Sequence, residues 1–595
     1  MIPPGNDVIL GTVAGASAPL VLPRTARDKH LYVCGSTGTG KSKFLENLIR
    51  QDIRSWSKSK CGVMLIDPHG SLYDGVMRWL ANREIDRPVI PIDLRRDDWV
   101  IGYNVLRKRP QSDPSVIARN FVDAMAHVWG QAGTDQTPLF ARWAGNILST
   151  LYEAGETLVQ AEHLIHHSAK HTRKFLTRQV TNRSAMRDWE YAASLTPKDF
   201  EALISSTVNR LRPFLSTNLI RQMFGQLNSS LDLGEALEKG HIILVCLATE
   251  RSRISEEDSA LVATLLLSDL WASAKARGKG GNGVPPKPFY LYVDEFQNFI
   301  TPTIAKNLDQ ARGFGLHLTL AHQFPNQLIH AGPNGRQVLD SIFENARTKA
   351  VFALESEENL RPLAQILFRG NMSPDKIRRE LYSTKVLGYS EELRTIIARG
   401  RAFGSGATKG QGRAQGAGLG GTQVFTGNEL YLPTEMVDPT SVSYSDSTFE
   451  SESESSSQSW SQSDSESEAR VPMLVPHMGR ELSSVENESI EDQLFRAMSA
   501  LSDQQQRHFI ARVVGERIPL SVKTPTLTLP AYNAEAIEEF TQRQLAKWPF
   551  AIPAERAAMQ IAEREKTLLA VPAVITRDEP VTNRRRIRER DILHP

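Results

Sequence analysis

Short runs of consecutive apolar residues alternate with amphipathic segments in two stretches of the chain, residues 29–107 and 239–370. A short apolar run predicts a buried strand, and apolar residues spaced three and four apart predict a helix. The strands that this pattern predicts are Leu31–Cys34, Val63–Asp67, Val89–Asp93, Ile242–Ala248, Phe289–Asp294, Leu316–Ala321 and Ala350–Leu354. Such alternation is typical of a mainly parallel sheet with right-handed crossovers, so we expect an α/β core.

Residues 108–238 interrupt this alternation, because a strand signal is almost absent there. Helical patterns cover Ser115–Val128, Pro138–Ala154 and Phe200–Leu215. We therefore expect an all-α domain inserted into the α/β core, which resumes at residue 239.

The segments that flank the core have a different character. We expect a short N-terminal β segment over residues 1–28, with strands Val8–Val13 and Pro19–Leu22, and a helical extension of the core over residues 371–402. Residues 403–470 are rich in glycine and then alternate serine with acidic or polar residues. A strand would also show strict alternation, but the low hydrophobicity and dense negative charge favour a disordered linker.

Residues 471–595 are predicted to form a small C-terminal region. A helical pattern covers about Ser489–Val514, and the chain ends in a basic run, Arg584–Arg590. Such a run is usually a solvated tail, and contact with nucleic acid is the alternative. The predicted architecture is an α/β core with an all-α insertion and a partly disordered C-terminal region.

The overall composition says more about where the protein is located in the cell than about what it binds. With 70 Lys and Arg against 68 Asp and Glu, the net charge of the 595 residues is +2, so any contact with DNA must come from local patches. The three cysteines lie in or beside apolar runs, and nothing resembles a disulfide framework or a cysteine-based zinc site. We find no secretory signal and no apolar run long enough for an integral membrane segment, and so expect a soluble, cytoplasmic protein.

One short segment carries the strongest chemical signal. Residues Gly35 to Ser42 read Gly-Ser-Thr-Gly-Thr-Gly-Lys-Ser, the full pattern of a phosphate-binding loop. Because the loop joins a predicted strand to a helical pattern, backbone N–H groups and a helix dipole converge where a triphosphate fits. The residues assigned to nucleotide binding are Gly35, Ser36, Thr37, Gly38, Thr39, Gly40, Lys41 and Ser42. In this arrangement Lys41 reaches the β- and γ-phosphates of ATP, and Ser42 ligates Mg²⁺.

Further candidate residues follow two later strands. Asp294 and Glu295 come at the end of the apolar run that begins at Phe289. We expect Asp294 to hold Mg²⁺ through its water shell and Glu295 to act as the general base toward the attacking water. Gln323 follows the next predicted strand, where an amide can sense the γ-phosphate and align that water.

Phosphoryl transfer also gains from an arginine offered to the developing charge, often by a neighbouring subunit. Arg312 and Arg347 are the candidates, because each shortly precedes a predicted core strand. Either could equally belong to a structural ion pair. Between Phe296 and Phe314, Lys306 and Arg312 could line the pore of a ring and follow DNA phosphates, or lie on an ordinary solvated helix.

As a set, these motifs resemble the FtsK/HerA superfamily of DNA-pumping ATPases, and within it the conjugative coupling proteins of the TraG/TraD type. Beside the phosphate loop, the motifs are Asp-Pro-His-Gly at Asp67–Gly70, Gly-Tyr-Asn-Val-Leu at Gly102–Leu106, the acidic strand end at Val293–Phe296, and the segment from Arg312 to Gln323. The resemblance covers about residues 8–370, and the motifs agree in order and spacing.

The resemblance implies a RecA-like P-loop NTPase core that hydrolyses Mg-ATP in a homohexameric ring to move or recruit DNA. It also implies that the insertion faces DNA and the relaxosome, with type IV secretion components as partners in conjugative transfer. Coupling proteins of this type usually have N-terminal membrane helices and HerA-like translocases an N-terminal β-barrel, and neither is evident here. Two alternatives therefore stay open: a HerA-like motor acting with a nuclease in DNA end processing or defence, and a DNA-independent secretion-assembly ATPase.

Overall fold

The computed structural model describes residues 7–16, 18–55, 60–83, 85, 87–109, 113–128, 137–250, 254–279, 285–299, 308–330, 335–374, 376–406, 414–422, 443–451, 459–516, 518–528 and 530–570. The chain divides into two compact units. The first unit comprises residues 1–373 and 490–595, and the second comprises residues 374–489.

The first unit is built on an eleven-stranded sheet. The strands of the chain are β1 Val8–Val13, β2 Pro19–Leu22, β3 Leu31–Cys34, β4 Gly62–Asp67, β5 Val89–Asp93, β6 Trp99–Ile101, β7 Ile242–Cys246, β8 Phe289–Val293, β9 Leu316–His322, β10 Thr348–Phe352, β11 Ile377–Gly406, β12 Ala414–Thr422, β13 Ser443–Ser451, β14 Ser459–Asn487, β15 His508–Arg512, β16 Leu520–Lys523 and β17 Ala551–Pro553. The order across the large sheet is β2-β1-β16-β15-β10-β3-β9-β8-β4-β7-β5. The strands from β10 to β5 run parallel, whereas those from β2 to β15 pair antiparallel with their neighbours.

All the described α-helices belong to the first unit. They are α1 Arg24–Arg27, α2 Lys41–Arg54, α3 Ser71–Ala81, α4 Pro114–Val128, α5 Thr137–Ala154, α6 Glu162–Ile165, α7 Lys170–Thr177, α8 Arg183–Ser194, α9 Pro197–Ser216, α10 Asn218–Phe224, α11 Leu233–Lys239, α12 Glu256–Arg277, α13 Leu308–Ala311, α14 Asn326–His330, α15 Gly335–Asn345, α16 Glu357–Phe368, α17 Ile490–Ser502, α18 Ala534–Leu545 and α19 Ala554–Leu569. Short 3₁₀ turns occupy Leu158–Ala161, His167–Ala169, Phe296–Asn298 and Arg312–Phe314. Within the described residues, no helix combines the length and the apolar character that crossing a membrane requires.

Successive side chains of the parallel strands enter hydrophobic clusters on opposite faces of the sheet. On β3, Val33 belongs to the cluster that contains Phe44 of α2, whereas Tyr32 belongs to the cluster that contains Leu266 of α12. Because both faces are covered, β3, β4, β7, β8 and β9 are buried along their whole length. This explains why the sequence shows them as continuous apolar runs and not as alternating ones.

The predicted α/β core with a mainly parallel sheet is confirmed, and so is the all-α insertion. Each strand predicted for the core is present close to its predicted bounds. Between β6 and β7, every regular element among the described residues is helical. The three cysteines are buried, as their positions in apolar runs suggested.

The C-terminal part of the chain differs from the prediction. The described residues after 489 belong to the first unit and not to a separate region. The helix predicted over Ser489–Val514 ends at Ser502, and β15 then pairs antiparallel with β10. Because β16 pairs with both β15 and β1, the N-terminal strands join the core sheet through this C-terminal pair. No local pattern encodes a partner strand so far away in the sequence. The basic run Arg584–Arg590 lies outside the described residues.

The second unit consists of paired strands. β11 pairs antiparallel with β14, and β12 pairs antiparallel with β13. This corrects the helical extension predicted for residues 371–402, and it places parts of the linker predicted for residues 403–470 in strands. The strand interpretation of the serine–acidic alternation is realised for its described residues because they find partners: residues 443–451 pair with β12, and residues 459–469 pair with β11. The rest of that predicted linker lies outside the described residues.

Candidate active site

The phosphate loop, residues 35–42, joins β3 to α2 at the carboxyl edge of the parallel strands. Gly38 (φ +81°) and Gly40 (φ +112°) adopt left-handed backbone conformations that strain any residue with a side chain. Gly35 meets a different constraint, because a Cβ atom there would lie 2.4 Å from Cβ of Phe352 in the neighbouring β10. The glycines thus fix the path of the backbone around the site.

The amino end of α2 is suited to an anion. Gly40 is the N-cap residue, and no side chain caps this end of the helix. The N–H groups of a first helical turn lack intrahelical acceptors, and the helix dipole adds partial positive charge there. A phosphate group satisfies both features at once.

Lys41, the first residue of α2, points into a pair of carboxylates. Its Nζ lies 2.9 Å from Oε1 of Glu295 and 3.3 Å from Oδ1 of Asp294. Burial lowers the pKa of an ammonium group, but the two carboxylates outweigh it, so the pKa of Lys41 is raised. Lys41 therefore stays charged in a site where only 6% of the residue is exposed.

Asp294 follows β8, and among the acids of the site its ionised form is the most strongly disfavoured. Burial raises its pKa to about 6; the ammonium of Lys41 opposes this shift, and the charges of Glu295 and Asp67 reinforce it. A carboxyl group with this pKa gains from any cation added nearby.

Asp67 at the end of β4 is a third carboxyl group close to the site. It is fully buried and accepts hydrogen bonds from the backbone N–H groups of His69 (3.0 Å) and Tyr73 (2.8 Å). These bonds fix the start of α3. Burial nevertheless raises the pKa of Asp67, and the backbone hydrogen bonds only partly offset the effect.

Glu295 is held by donors on both of its oxygens. The side-chain amides of Gln323 and Gln297 donate to Oε1 (3.2 Å) and Oε2 (3.0 Å), and its backbone is left-handed at φ 45°. Burial raises the pKa of Glu295, but the charge of Lys41 and the hydrogen bonds outweigh it, so the pKa is lowered. An ionised, fixed carboxylate is the state that a general base requires.

The strand order explains why residues distant in sequence meet here. β3, β9 and β8 are consecutive neighbours in the sheet, and their carboxyl ends lie at one edge. Lys41 follows β3, Gln323 follows β9, and Glu295 follows β8. The structure therefore brings together the predicted lysine, base and sensor amide.

The two candidate arginines lie elsewhere. Arg312 and Arg347 precede the parallel strands β9 and β10, so both sit at the amino edge of the sheet, opposite the phosphate loop. Both are exposed, and the backbone N–H of Arg347 donates to the carbonyl of Lys29 at 3.0 Å. The structure does not bring either side chain to the site of its own chain. Lys306, the other predicted pore residue, lies outside the described residues.

Sequence reasoning missed several residues of the site. Asp67 lay inside a noted motif, and Gln297 lies two residues after Glu295, so both carried a local signal. The residues Gln506 and Arg507, here called the C-terminal corner, carried none. The side-chain amide of Gln506 donates to the carbonyl of Gly38 (2.9 Å), 468 positions earlier in the chain. The backbone N–H of Arg507 donates to the carbonyl of Thr39 (2.7 Å).

The donor set fits a hard divalent cation. The charge of Lys41 is outnumbered by the carboxyl groups of Asp294, Glu295 and Asp67, and such a buried excess is costly unless a cation joins it. The oxygens of Ser42 and Asp294 are of the type that Mg²⁺ prefers. Among the described residues, no cluster of three or more His, Cys, Asp or Glu side chains could hold a metal by itself. Mg²⁺ usually takes one or two protein ligands together with phosphates and water, a number that Ser42 and Asp294 would supply.

Comparisons with known proteins give one broad match and several weak ones. The sequence model of the type IV secretion-system coupling protein DNA-binding domain matches residues 14–374. No curated protein matches the chain. Among solved structures, the bacterial conjugative coupling protein TrwBdeltaN70 matches at 14% identity over 88% of this chain and 91% of that chain, with a TM-score of 0.43. The plasmid coupling protein TrwB in complex with ADP and Mg²⁺ matches at 13% identity over 88% and 90%, with a TM-score of 0.43. VirB4 of Thermoanaerobacter pseudethanolicus matches at 14% identity over 62% and 88%, with a TM-score of 0.39.

Proposed function

The chain belongs to the type IV secretion-system coupling protein family, and from this premise we propose that it is an ATPase that uses hydrolysis of Mg-ATP to move or recruit DNA. One observation carries the proposal: Lys41 and Gln323 both contact Glu295 beside a phosphate loop. Binding alone needs the loop and its lysine. A fixed, ionised carboxylate next to them adds what hydrolysis needs.

Lys41 has two roles in the proposed reaction. In the structure its Nζ is paired with Glu295 at 2.9 Å. The β- and γ-phosphates of ATP attract the ammonium, so Lys41 turns toward them and the pairing with Glu295 weakens. Glu295 keeps the hydrogen bonds from Gln297 and Gln323 and accepts a proton from the attacking water.

Ser42 and Asp294 would hold Mg²⁺, which when bound neutralises charge on the phosphoryl group in the transition state. Gln323 is fixed from two sides, because its amide contacts Glu295 and its backbone N–H donates to the side chain of Gln327 at 3.1 Å. It is thereby positioned to orient the water against the γ-phosphate.

We propose that a second copy of the chain completes the site within a ring. Arg312 and Arg347 are exposed at the amino edge of the sheet and do not reach the loop of their own chain. A neighbouring subunit could present either one to the developing charge, as arginine fingers do.

Subunit mixing tests this arrangement. We expect Arg347→Ala and Glu295→Gln proteins to be inactive alone and to regain activity when mixed, because some interfaces then contain both intact residues. The same mixing with Arg312→Ala decides between the two arginines. If an arginine variant keeps full activity alone, that residue is not the finger.

DNA is the proposed track because the matched family model is that of a DNA-binding domain. Conjugative DNA transfer through type IV secretion is the proposed setting, with relaxosome and secretion-channel components as partners. The near-zero net charge means that DNA must bind to local basic patches. The affinity of such binding falls steeply as the salt concentration rises.

The decisive experiment measures ATP hydrolysis by the full chain with no DNA, single-stranded DNA and duplex DNA. Glu295→Gln serves as the inactive variant, and Glu344→Gln on the exposed side of α15 makes the same chemical change outside the site. We expect DNA to stimulate hydrolysis in the wild type and in Glu344→Gln but not in Glu295→Gln. Hydrolysis that depends on Glu295 but ignores both DNAs would overturn the DNA role and favour a secretion-assembly ATPase. Co-purification of a nuclease would favour the end-processing alternative.

A further inference from the structure

The C-terminal corner is attached directly to the phosphate loop. The Gln506 amide and the Arg507 backbone N–H donate to the carbonyls of Gly38 and Thr39, at 2.9 and 2.7 Å. The contact is close enough that a Cβ atom on Gly40 would lie 3.1 Å from Cα of Arg507. Two residues that follow α17 therefore form part of the loop's immediate surroundings.

The corner is also held rigidly from the other side. Arg507 has a left-handed backbone at φ 70°, a conformation that is strained for a residue with a side chain. Its guanidinium donates to the carbonyl of Thr524 (3.1 Å) and the hydroxyl of Thr526 (2.7 Å), and the backbone N–H of Thr524 donates back to the Arg507 carbonyl (2.8 Å). Strain of this kind persists only where the surroundings enforce it, and it concentrates at functional sites.

The strand order shows which end of a nucleotide this corner faces. The catalytic side chains follow β8 and β9, on one side of β3 and its loop, whereas β10 and β15 lie on the other side. β8 and β15 are each the second strand from β3, so the catalytic side and the corner lie on opposite sides of the loop. If the γ-phosphate meets Glu295, a nucleotide that extends across the loop runs toward β10 and β15.

We propose that the C-terminal corner, with Thr524 and Thr526 behind it, forms the wall of the subsite for the ribose and base of the bound nucleoside triphosphate. This inference rests on the proposed ATPase site and adds a recognition element to it. Gln506 is exposed, and its side-chain N–H donates to the loop. Its side-chain carbonyl oxygen is then left to accept a hydrogen bond from the nucleoside.

The test compares a ligand that has a nucleoside with one that lacks it. Binding of ADP and of inorganic tripolyphosphate to the full chain is measured by calorimetry for the wild type, Gln506→Ala and Arg507→Gly. Glycine at position 507 tolerates the left-handed backbone, so that variant keeps the local conformation. The matched control is Gln505→Ala, an exposed glutamine one position earlier. Thermal melts accompany each variant to establish folding.

We expect Gln506→Ala and Arg507→Gly to weaken ADP binding about tenfold, the equivalent of one or two hydrogen bonds, and to change tripolyphosphate binding less than twofold. Gln505→Ala should change neither. An equal loss for both ligands would overturn the inference, because the corner would then only shape the loop. Unchanged ADP binding would overturn it as well.

Lys41→Ala separates this inference from the proposed function. If Lys41→Ala weakens binding of both ligands while the corner variants do not weaken ADP binding, the ATPase site stands and the nucleoside subsite is wrong. If Lys41→Ala leaves both ligands bound as before, the proposed site itself is wrong and the inference falls with it.

Discussion

Two buried charged clusters share the same helix and strand but differ in how their charges are balanced. In the cluster formed by Arg27, Asp52 and Tyr292, the guanidinium binds both oxygens of Asp52 at 2.6 and 2.7 Å, and Tyr292 donates to the same carboxylate. Arg27 also stacks 3.7 Å from the ring centroid of Tyr290. One positive charge meets one negative charge, and each carboxylate oxygen has donors.

The cluster formed by Lys41, Asp294 and Glu295 lies on the same two elements. Lys41 begins α2, which also carries Asp52, and Asp294 and Glu295 follow β8, which also carries Tyr292. Here one ammonium serves two carboxylates, and the pKa of Asp294 rises to about 6. The comparison shows that burial alone does not mark a functional site. An excess of negative over positive charge is the better mark of such a site, because only the second cluster gains from an added cation and phosphate.

The largest expected difference between the clusters appears when Glu295 becomes glutamine. Glu295→Gln removes the proposed base and should lower the hydrolysis rate about 10²–10⁴-fold. The fold favours the ionised form of Glu295, because its pKa is lowered, so the free energy of unfolding should also fall, but by less than for the loss of a carboxylate from the balanced cluster. Steady-state ATPase assays and urea denaturation test both parts together. A loss of stability as large as that expected for the balanced cluster would show that this cluster, like the other, is structural.

Asp52→Asn tests the balanced cluster in the same way. The change leaves Arg27 buried without its charge partner, and we expect a loss of about 3–5 kcal/mol in the free energy of unfolding. Asp340→Asn, on the exposed surface of α15, is the matched control and should change stability by less than about 0.5 kcal/mol. A small effect of Asp52→Asn in urea denaturation would contradict the structural assignment.

The pH dependence of stability sharpens the comparison. The pKa of Asp294 in the folded chain, about 6, lies above its ordinary value of about 4, so this group stabilises the fold fully below about pH 4. That contribution is lost as the pH rises through about 6. Without metal and nucleotide, Asp294→Asn should therefore be more stable than the wild type at pH 7.5, by roughly 1–3 kcal/mol, and the gain should vanish near pH 4.

The same carboxyl group should give the opposite trend for ligand binding. Mg²⁺ needs the ionised form, so the affinity for Mg-ADP should fall below pH 6 by up to about tenfold per pH unit. Removing Mg²⁺ with a chelator should abolish this part of the pH dependence. Identical pH profiles with and without Mg²⁺ would argue against Asp294 as a ligand.

The smallest expected effect on stability comes from removing the hydroxyl group of one of the two buried tyrosines, Tyr292 or Tyr290. Tyr292→Phe removes the hydroxyl that donates to Asp52 and should cost about 1 kcal/mol, because Arg27 still holds that carboxylate. Tyr290→Phe is the control, since the Tyr290 hydroxyl is buried with no hydrogen-bond partner among the described residues. Its removal should be neutral or slightly stabilising in thermal unfolding. Equal costs for the two would mean that the Asp52 hydrogen bond contributes nothing.

The parts of the fold that the sequence predicted well are those with a local cause. The phosphate loop follows from glycines whose own backbone angles set its path, as at Gly38 and Gly40. The parallel strands are predictable because burial on both faces requires continuous apolar runs. Asp294, Glu295 and Gln323 could be proposed because parallel strands end at one edge of the sheet, where the structure brings Glu295 and Gln323 into contact.

The parts that the sequence did not predict depend on partners far away in the chain. β11 lies where the local sequence pattern predicts a helix, because its partner β14 begins beyond the glycine-rich and serine-rich segments. The local pattern predicts the end of a helix at β15, which is a strand because it pairs with β10. Gln506 and Arg507 reach the phosphate loop only through that pairing. The excess of negative charge around Asp294 could not be predicted from the sequence either, because Asp67 belongs to another strand.

The burial of every cysteine has a practical consequence for measuring motion in this protein. Burial raises the pKa of Cys34 to about 12, and it raises that of Cys246 as well, so neither forms the thiolate that alkylating reagents attack. Cys61 is also buried. A single cysteine introduced at an exposed position, such as Gln505, would therefore be the one readily labelled thiol in the native chain. Fluorescent or spin probes could then report how the chain moves when nucleotide is added, without first deleting the native cysteines.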